Sequence, residues 1–508
     1  MNGRTKATYH DSTSTNYTYD AGNRITQVQE KDSVGTVTAT ITRTYYDGLD
    51  RLTQEVTPQG QIDYTYDTAS RRTSMTVAGQ TAITYTYDNA NRLTQVQRGG
   101  DTVTLAYDDA DRRTSLTYPN GNKIEYAYDA ASQLTSVTYK DDTTTLGDLT
   151  HMYDAAGNRI KVGGSFARTN LPPALATTSY NANNQQTTFA ADTLTYELNG
   201  NLTSVTDGSD TTTYTWNARN QLTGVSGPSL SASFAYDSFG RRTGKTINSV
   251  TTNFVYDGLN PVQEKDGSTV TANLITGLGI DEFFTRTDGV GARALLSDAL
   301  GSTGALGDNT GALQTQYTYE PFGVTTQTGA VSTSSYTFTG REDDGTGLYY
   351  YRARYYQPRL QRFVSEDPIE YFGDDLNLYA YVLNSPTNYT DPTGEFIPQL
   401  IGCAVGAGIS AGADVLSGRK IDVTDAAIGC GLGALGGFGY GKTVKVGIHS
   451  HYHNFPRLGG SYPHVQINWW MPGVKGSPSG IHIPFPRGWA PEKDINKTIN
   501  LWFRGWHQ

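Results

Sequence analysis

Apolar and polar residues alternate along most of this chain in short segments that are separated by turn residues. A typical unit runs from Ile83 to Val96 and reads ITYTY, then DNAN, then RLTQV. Period-2 alternation of Tyr, Thr, Val and Ile is typical of half-buried strands. Asp followed by Asn or Gly supplies a turn whose residues tolerate positive φ. Each unit is therefore predicted to be a β-hairpin.

The hairpin unit repeats with a spacing near 20 residues. The unit is marked by Tyr followed by Asp, and the tyrosines are Tyr19, Tyr46, Tyr66, Tyr87, Tyr107, Tyr128, Tyr153, Tyr236 and Tyr256. A single hairpin is only marginally stable in water, so successive units must pair edge to edge. The sequence predicts a mainly β protein in which a hairpin array curls into a spiral or partial shell.

A second set of motifs follows the repeats. They are Asp298–Ser302 (DALGS), Tyr319–Gly323 (YEPFG), Phe338–Arg341 (FTGR), Gly347–Tyr350 (GLYY), Arg352–Pro358 (RARYYQP), Arg362–Pro368 (RFVSEDP), Asn377–Tyr381 (NLYAY), Asn384–Pro386 (NSP) and Asp391–Gly394 (DPTG). With the Tyr-Asp (YD) repeats, this order resembles the RHS/YD-repeat family, which includes the cocoon-forming C components of insecticidal toxin complexes. The resemblance covers about residues 1–394 and implies a hollow shell around a C-terminal cargo.

The resemblance also implies an aspartyl autoprotease that cuts near Gly394–Phe396. By motif position its residues are Arg354, Asp367 and Asp391. Two carboxyls held close share a proton, so one can activate water while the other protonates the leaving amine. An adjacent guanidinium would hold the charged carboxylate. Asp-Pro-x-Gly is also an ordinary turn motif, and the family usually has Leu where this chain has Glu395.

Charge and composition change sharply near residue 441. The net charge is −10 overall, whereas residues 441–508 hold five Lys and three Arg against one Glu and one Asp. Six of the eight His and five of the six Trp lie in the same segment. We therefore expect four parts: YD repeats in 1–260, an RHS-associated core in 261–394, a linker in 395–440 and a toxin domain in 441–508.

The linker is rich in Gly and Ala and predicts two short helices. Small residues recur at helical spacing, for example at Gly429, Gly433 and Gly437, which allows close helix packing. A packed helical hairpin is one interpretation, and transient membrane contact through residues 396–437 is the other. Polar residues interrupt any long apolar span. The two cysteines, Cys403 and Cys430, form neither a disulfide framework nor a zinc motif.

The final segment predicts a small antiparallel β or α+β domain with a histidine-lined face. Alternation places His449, His451 and His453 on one side of a strand, and further strands carry His464 and His482. These five histidines are the candidate active site of the cargo. A basic domain attracts phosphate, which favours a nuclease. Candidate phosphate-binding residues are Arg457, Lys475 and Arg487.

Two nuclease types remain open. A ribonuclease needs no cofactor because the 2′-hydroxyl of RNA is the nucleophile, and we favour it. A DNase would use a divalent metal held by His449, His451 and His453. The segment has no HExxH, GxSxG or P-loop motif for other chemistries.

Two function classes follow from these features. The first is a secreted or cell-surface delivered toxin of bacterial competition, whose nuclease cargo acts in the target-cell cytoplasm. Its partners would be nucleic acid, an acidic immunity protein, and a secretion-system or shell partner. The second is a non-enzymatic, adhesive YD-repeat protein. The first 20 residues are polar and show no cleavable signal, so we expect either export by another route or a chain that is a piece of a longer protein.

Overall fold

A computed structural model of the 508-residue chain describes residues 4–46, 50–167, 171–172, 174, 177–370 and 375–395. It also describes the backbone of five strands between residues 399 and 501. Packing divides the chain into two units, residues 1–434 and residues 435–508.

The first unit begins with an antiparallel sheet of 15 strands that follow one another in chain order. They are β1 Lys6–Thr8, β2 Ser14–Tyr19, β3 Ile25–Lys31, β4 Val37–Tyr46, β5 Arg51–Thr57, β6 Gly60–Tyr66, β7 Arg72–Val77, β8 Ile83–Tyr87, β9 Leu93–Arg98, β10 Asp101–Tyr107, β11 Arg113–Thr117, β12 Asn122–Tyr128, β13 Leu134–Asp141, β14 Thr144–Tyr153 and β15 Arg159–Gly163.

A second antiparallel sheet has 16 strands, again in chain order. They are β16 Thr178–Tyr180, β17 Gln186–Phe189, β18 Asp192–Tyr196, β19 Leu202–Asp207, β20 Asp210–Trp216, β21 Leu222–Gly227, β22 Leu230–Tyr236, β23 Arg242–Ile247, β24 Val250–Asp257, β25 Asn260–Asp266, β26 Thr269–Thr276, β27 Phe283–Asp288, β28 Gly291–Ser297, β29 Thr303–Gly307, β30 Leu313–Tyr319 and β31 Thr325–Gly329. The hairpin array therefore continues across residue 260 as far as Gly329.

Short elements complete the described chain. The first unit adds a four-stranded sheet, one strand pair and two 3₁₀ turns: β32 Glu342–Asp343, β33 Tyr349–Tyr351, β34 Arg354–Gln357, β35 Arg362–Phe363, β36 Tyr389–Thr390, β37 Gln399–Leu400, η1 Phe338–Gly340 and η2 Val382–Asn384. The second unit has four antiparallel strands: β38 Val444–Phe455, β39 Gly460–Trp470, β40 Ser479–Pro484 and β41 Asn496–Leu501. Their order is β40-β39-β38-β41.

The repeat motif builds the turn at each hairpin end. Asp88 Oδ1 accepts hydrogen bonds from the N–H groups of Ala90 and Arg92, both at 2.9 Å, and Oδ2 accepts one from Arg92 Nε at 2.7 Å. Asn91 has a φ of 66°, which Asn tolerates better than most residues. Arg92 Nη1 then donates to the carbonyl of Asp108 at 2.9 Å. The arginine therefore links its own turn to the next one by hydrogen bonds.

The core lies where the two large sheets pack face to face. One buried cluster joins residues of both sheets, among them Val96, Leu116, Ile275, Phe284 and Leu296. Burial of such side chains gives roughly 1.5–3 kcal/mol each. The repeat units between β17 and β22 contribute their apolar residues to a separate buried cluster, which includes Tyr350 of β33 and Tyr355 of β34. The mainly β fold predicted from the alternation is thus confirmed.

Most of the predicted helical linker, residues 396–398 and 401–440, lies outside the described residues, and Gln399–Leu400 form the short strand β37. In the parts of the chain that are described, no helix reaches the length and apolarity needed to cross a membrane. The C-terminal domain contains the three strands that the sequence predicts, at β38, β39 and β40. It also contains β41, which the sequence analysis missed because this strand lacks an aromatic or His alternation to mark it.

Candidate functional site

The arginine of the RHS-associated core, Arg354, lies beside a cluster of buried aromatic side chains. Tyr351, Tyr356, Phe363 and Tyr381 are buried in one cluster contributed by β33, β34, β35 and the segment before η2. The guanidinium carbon of Arg354 lies 3.6 Å from the centre of the Phe363 ring. Arg354 is 2% exposed, so its charge must be balanced by groups inside the protein.

Those groups include both aspartates that the resemblance implied. Arg354 Nη2 lies 2.9 Å from Asp367 Oδ2 and 3.4 Å from Asp391 Oδ2. The structure therefore brings Arg354, Asp367 and Asp391 together, although 37 positions separate Arg354 from Asp391. The remaining N–H groups are also used. Nη1 donates to the Leu378 carbonyl at 3.0 Å, and Nε donates to the Gly394 carbonyl.

The DPTG segment forms a tight turn over this arginine. Asp391 Oδ1 accepts hydrogen bonds from the N–H of Gly394 at 2.8 Å and from the N–H of Glu395 at 3.2 Å. Gly394 has a φ of 72°, and a Cβ there would collide with the carbonyl oxygen of Tyr351. Glycine is therefore required at this position. These hydrogen bonds are compatible with both interpretations of Asp391, as a residue that caps the turn and as a catalytic carboxyl.

The site has a shortage of positive charge. Burial raises the pKa of the Asp391 carboxyl, and the charge of Asp367 raises it further. Burial also raises the pKa of Asp367 and of Glu395, while Arg354 opposes each of these increases. Burial lowers the pKa of Arg354 itself. One guanidinium thus faces three carboxyls, an arrangement that favours retention of a proton among them.

This arrangement can perform acid–base chemistry on one peptide bond. The carbonyl oxygen of Gly394 accepts from a guanidinium N–H, which polarises the carbonyl. The nitrogen on the other side of the bond, that of Glu395, lies against Asp391. Asp367 is the remaining carboxyl beside the guanidinium.

Two parts of the site were not predicted from the sequence. The contact between Arg354 and the Gly394 carbonyl joins β34 to a turn that follows 40 positions later. No local sequence pattern predicts such a contact. Glu395 was noted only as a departure from the family. The sequence signal available for it was a carboxyl residue directly after the Asp-Pro-x-Gly motif.

The histidines of the C-terminal domain occupy related register positions. His451 pairs with His464 across β38 and β39, and His449 pairs with Gln466, which in turn pairs with His482. Paired positions in an antiparallel sheet share a face, and so do alternate positions of one strand. All five candidate histidines, His453 included, therefore belong to one face of the backbone sheet. The contacts of their side chains lie outside the described residues, as do Arg457, Lys475 and Arg487.

The side chains described between residues 4 and 395 include no group of three or more His, Cys, Asp or Glu that could hold a metal ion. The candidate metal ligands His449, His451 and His453 all belong to β38, and their side chains are not described.

The RHS Repeat family model matches residues 46–82, 87–123, 107–144 and 196–232. Three curated proteins are similar to parts of this chain. Toxin subunit YenC1 of Yersinia entomophaga is 43% identical over 100 residues, which are 19% of this chain and 10% of that protein. Toxin protein Tse5 of Pseudomonas aeruginosa is 49% identical over 59 residues, 12% of this chain and 4% of that protein.

The third relative, tRNA nuclease WapA of Bacillus subtilis, is 40% identical over 107 residues, 20% of this chain and 5% of that protein. The matches thus span a tenth or less of each relative's length. The crystal structure of TcdB2-TccC3 has the same fold, with a TM-score of 0.52 and 19% identity over 76% of this chain and 27% of that one. The family model, the relatives and the shared fold together support the resemblance of this chain to RHS/YD-repeat toxins.

Proposed function

We propose that this chain is an RHS-type toxin that cuts its own backbone after Gly394 and so releases residues 395–508 as a cytotoxic cargo. The observation that carries the proposal is the position of Arg354, which contacts Asp367, Asp391 and the Gly394 carbonyl at once. A buried turn would need a cap on its N–H groups. It would not need a buried guanidinium and a second carboxyl at the same peptide bond.

The reaction is hydrolysis of the bond between Gly394 and Glu395. Ionised Asp367 removes a proton from water, and the water oxygen attacks the Gly394 carbonyl carbon. Arg354 stabilises the negative charge that develops on the carbonyl oxygen. Protonated Asp391, whose Oδ1 lies 3.2 Å from the Glu395 nitrogen, gives its proton to that nitrogen as the C–N bond breaks. The products are a carboxyl at Gly394 and an amine at Glu395.

Self-cleavage is tested with the full chain. The wild type should yield fragments 1–394 and 395–508, and intact-mass measurement identifies the bond that is cut. Asp391→Asn and Asp367→Asn should slow cleavage by roughly 100-fold or more. Asp266→Asn is the matched control, since Asp266 is an exposed carboxylate on β25. A wild type that stays intact between pH 5 and 8, or an Asp391→Asn form that cleaves normally, would refute the proposal.

We further propose that the cargo is a nuclease, with a ribonuclease favoured over a metal-dependent DNase. The support is the pairing of His451 with His464 on adjacent strands, because two imidazoles on one face can act as base and acid. The basic charge of residues 441–508 and the relative named as a tRNA nuclease favour the same chemistry. We expect an acidic immunity protein to cover this face in the producing cell, and delivery from outside the target cell.

The cargo is tested by inducing the full chain in a bacterium while growth, RNA and DNA are followed. Wild type should stop growth and degrade RNA, whereas His451→Ala and His464→Ala should not. His10→Ala is the matched control, because His10 is exposed near the N-terminus. Loss of DNA instead of RNA would favour the metal-dependent alternative. Toxicity that is unchanged in both histidine variants would contradict a nuclease built on this face.

A further inference from the structure

Three consecutive residues at the β33–β34 hairpin donate hydrogen bonds to three consecutive carbonyls of the DPTG turn. The three bonds run from Arg352 Nη1 to the Pro392 carbonyl, from the N–H of Ala353 to the Thr393 carbonyl at 3.1 Å, and from Arg354 Nε to the Gly394 carbonyl. Donor and acceptor are 40 positions apart in the chain in each case. The two segments therefore lie side by side in one register, and the bond proposed to be cut follows the third carbonyl.

A carboxylate outside the cleavage site holds the guanidinium of Arg352. Arg352 Nη2 lies 2.6 Å from Asp281 Oδ1, and Nη1 lies 3.1 Å from Asp281 Oδ2. Nη2 also donates to the Leu259 carbonyl at 3.2 Å. The side chains of Arg352 and Asp281 are each 9% exposed. Because Asp281 lies between β26 and β27, the guanidinium links the DPTG turn to the second large sheet.

The backbone of Arg352 has a conformation that arginine rarely adopts. Its φ is 58°, in the left-handed region. Arg352 and Ala353 form the two-residue turn between β33 and β34, where Gly, Asn or Asp is usual at a positive φ. Residues held in sparsely populated backbone regions cluster at functional sites. The contacts of its side chain, and not turn chemistry, therefore explain an arginine at this position.

We propose that Arg352 is a positioning residue of the cleavage reaction. By fixing the Pro392 carbonyl, it keeps the Gly394 carbonyl against Arg354. This inference rests on the self-cleavage proposed above and adds a residue to it. Pro392 has no N–H, so its backbone can be hydrogen-bonded only through that carbonyl. A slip of the turn by one residue would move the bond by about 3.5 Å, and a misplacement of about 1 Å can slow a reaction about 100-fold.

The test compares Arg352→Met with Arg341→Met in the full chain. Arg341 is the matched control, because its Nη1 lies 2.5 Å from the same Asp281 Oδ1 and its side chain is 3% exposed. Its Nε donates to the Tyr350 carbonyl at 3.0 Å. Both substitutions remove a buried cation from Asp281, but only Arg352→Met removes a hydrogen bond to the Pro392 carbonyl.

The experiment follows newly made full-length chain. Cell-free synthesis with radioactive methionine labels both products, because one methionine follows the cut and three precede it, namely Met471 and Met1, Met75 and Met152. Fragments are quantified over time after synthesis is stopped. Each variant is also made with Asp391→Asn to keep the chain uncut, and limited proteolysis of that form measures the folded fraction. Cleavage rates are then compared per folded chain.

Arg352→Met should cleave about 10-fold to 100-fold more slowly than wild type, whereas Arg341→Met should stay close to wild type. Arg352→Lys keeps a donor and the charge beside Asp281, so it should cleave faster than Arg352→Met.

A wild-type rate in Arg352→Met would overturn the inference while leaving self-cleavage intact. Equal slowing in Arg352→Met and Arg341→Met would also overturn it, since the effect would then come from Asp281, and so would a lysine variant no faster than Arg352→Met. If Arg352→Met does not fold, Arg352→Lys should cleave more slowly than Arg341→Lys, and equal rates would overturn the inference. A wild type that does not cleave would overturn the proposed function and this inference with it.

Discussion

Replacing Arg242 tests whether the RHS-associated core is fastened to the second large sheet by buried charge. Arg242 lies on β23 and is fully buried. Its guanidinium contacts Glu342 and Asp344, which belong to the segment of β32, and Nη2 lies 3.0 Å from Asp344 Oδ1. Both acceptor side chains are 1% exposed or less. Arg242→Met keeps the volume and removes the charge.

The expected loss is set by the two carboxylates that remain. Removing one partner of a buried ion pair costs about 3–5 kcal/mol, because the other charge stays buried without compensation. Lys245 Nζ lies 2.9 Å from Asp344 Oδ1 and can replace part of the lost charge. We therefore expect the free energy of unfolding to decrease by about 3 kcal/mol, the lower end of that range. For the first unit, residues 1–434, this corresponds to a decrease in Tm of about 3 °C.

The assay is calorimetric unfolding of the full chain, with the triple variant Arg242→Met, Glu342→Gln, Asp344→Asn as the companion. Neutral partners carry no uncompensated charge, so the triple variant should recover most of the lost stability. Unfolding of Arg242→Met within about 1 °C of wild type, or a triple variant that is no more stable than the single one, would refute this prediction.

Two further predictions concern the repeats. Asp237→Ala removes a buried carboxylate that accepts hydrogen bonds from the N–H groups of Phe239 and Arg241 and from Arg241 Nε. Calorimetry should show that the free energy of unfolding decreases by about 2–4 kcal/mol. The decrease should be smaller for Asp88→Ala, at an exposed turn. Burial lowers the pKa of His151 to about 4. The folded pKa lies below the unfolded value of about 6.5, so the contribution of neutral His151 to the free energy of unfolding should be fully present above pH 6.5. The free energy of unfolding should then fall by about 3 kcal/mol as the pH is lowered towards 4. His151→Phe should remove that slope in urea unfolding at pH 4–7, and an unchanged slope would contradict this assignment.

The repeat pattern was sufficient to predict the architecture. Each unit carries its own strand alternation and its own Asp turn, so the local sequence specifies a hairpin, and the period specifies many of them. The role of the repeat arginine was not predicted. Arg92 donates a hydrogen bond to the backbone carbonyl of Asp108 in the next unit. The sequence of a single unit does not include that partner.

The candidate cleavage site was predicted only through the family resemblance. Spacing alone favoured a turn at Asp391, because Asp-Pro-x-Gly satisfies ordinary turn chemistry. The structure places Arg354 Nη2 2.9 Å from Asp367 Oδ2 and 3.4 Å from Asp391 Oδ2. It also places the N–H of Glu395 3.2 Å from Asp391 Oδ1.

The sequence by itself determined the hairpin array, the order of its strands and the separate character of the basic C-terminal domain, because each depends on neighbouring residues or on composition. Only the tertiary structure decided which sheet faces pack together, which carboxyls share Arg354 and which carbonyl that arginine holds. Those contacts join residues far apart in the chain. They depend on how 31 strands in two sheets lie against a tyrosine-rich core, and that arrangement is a property of the packed molecule.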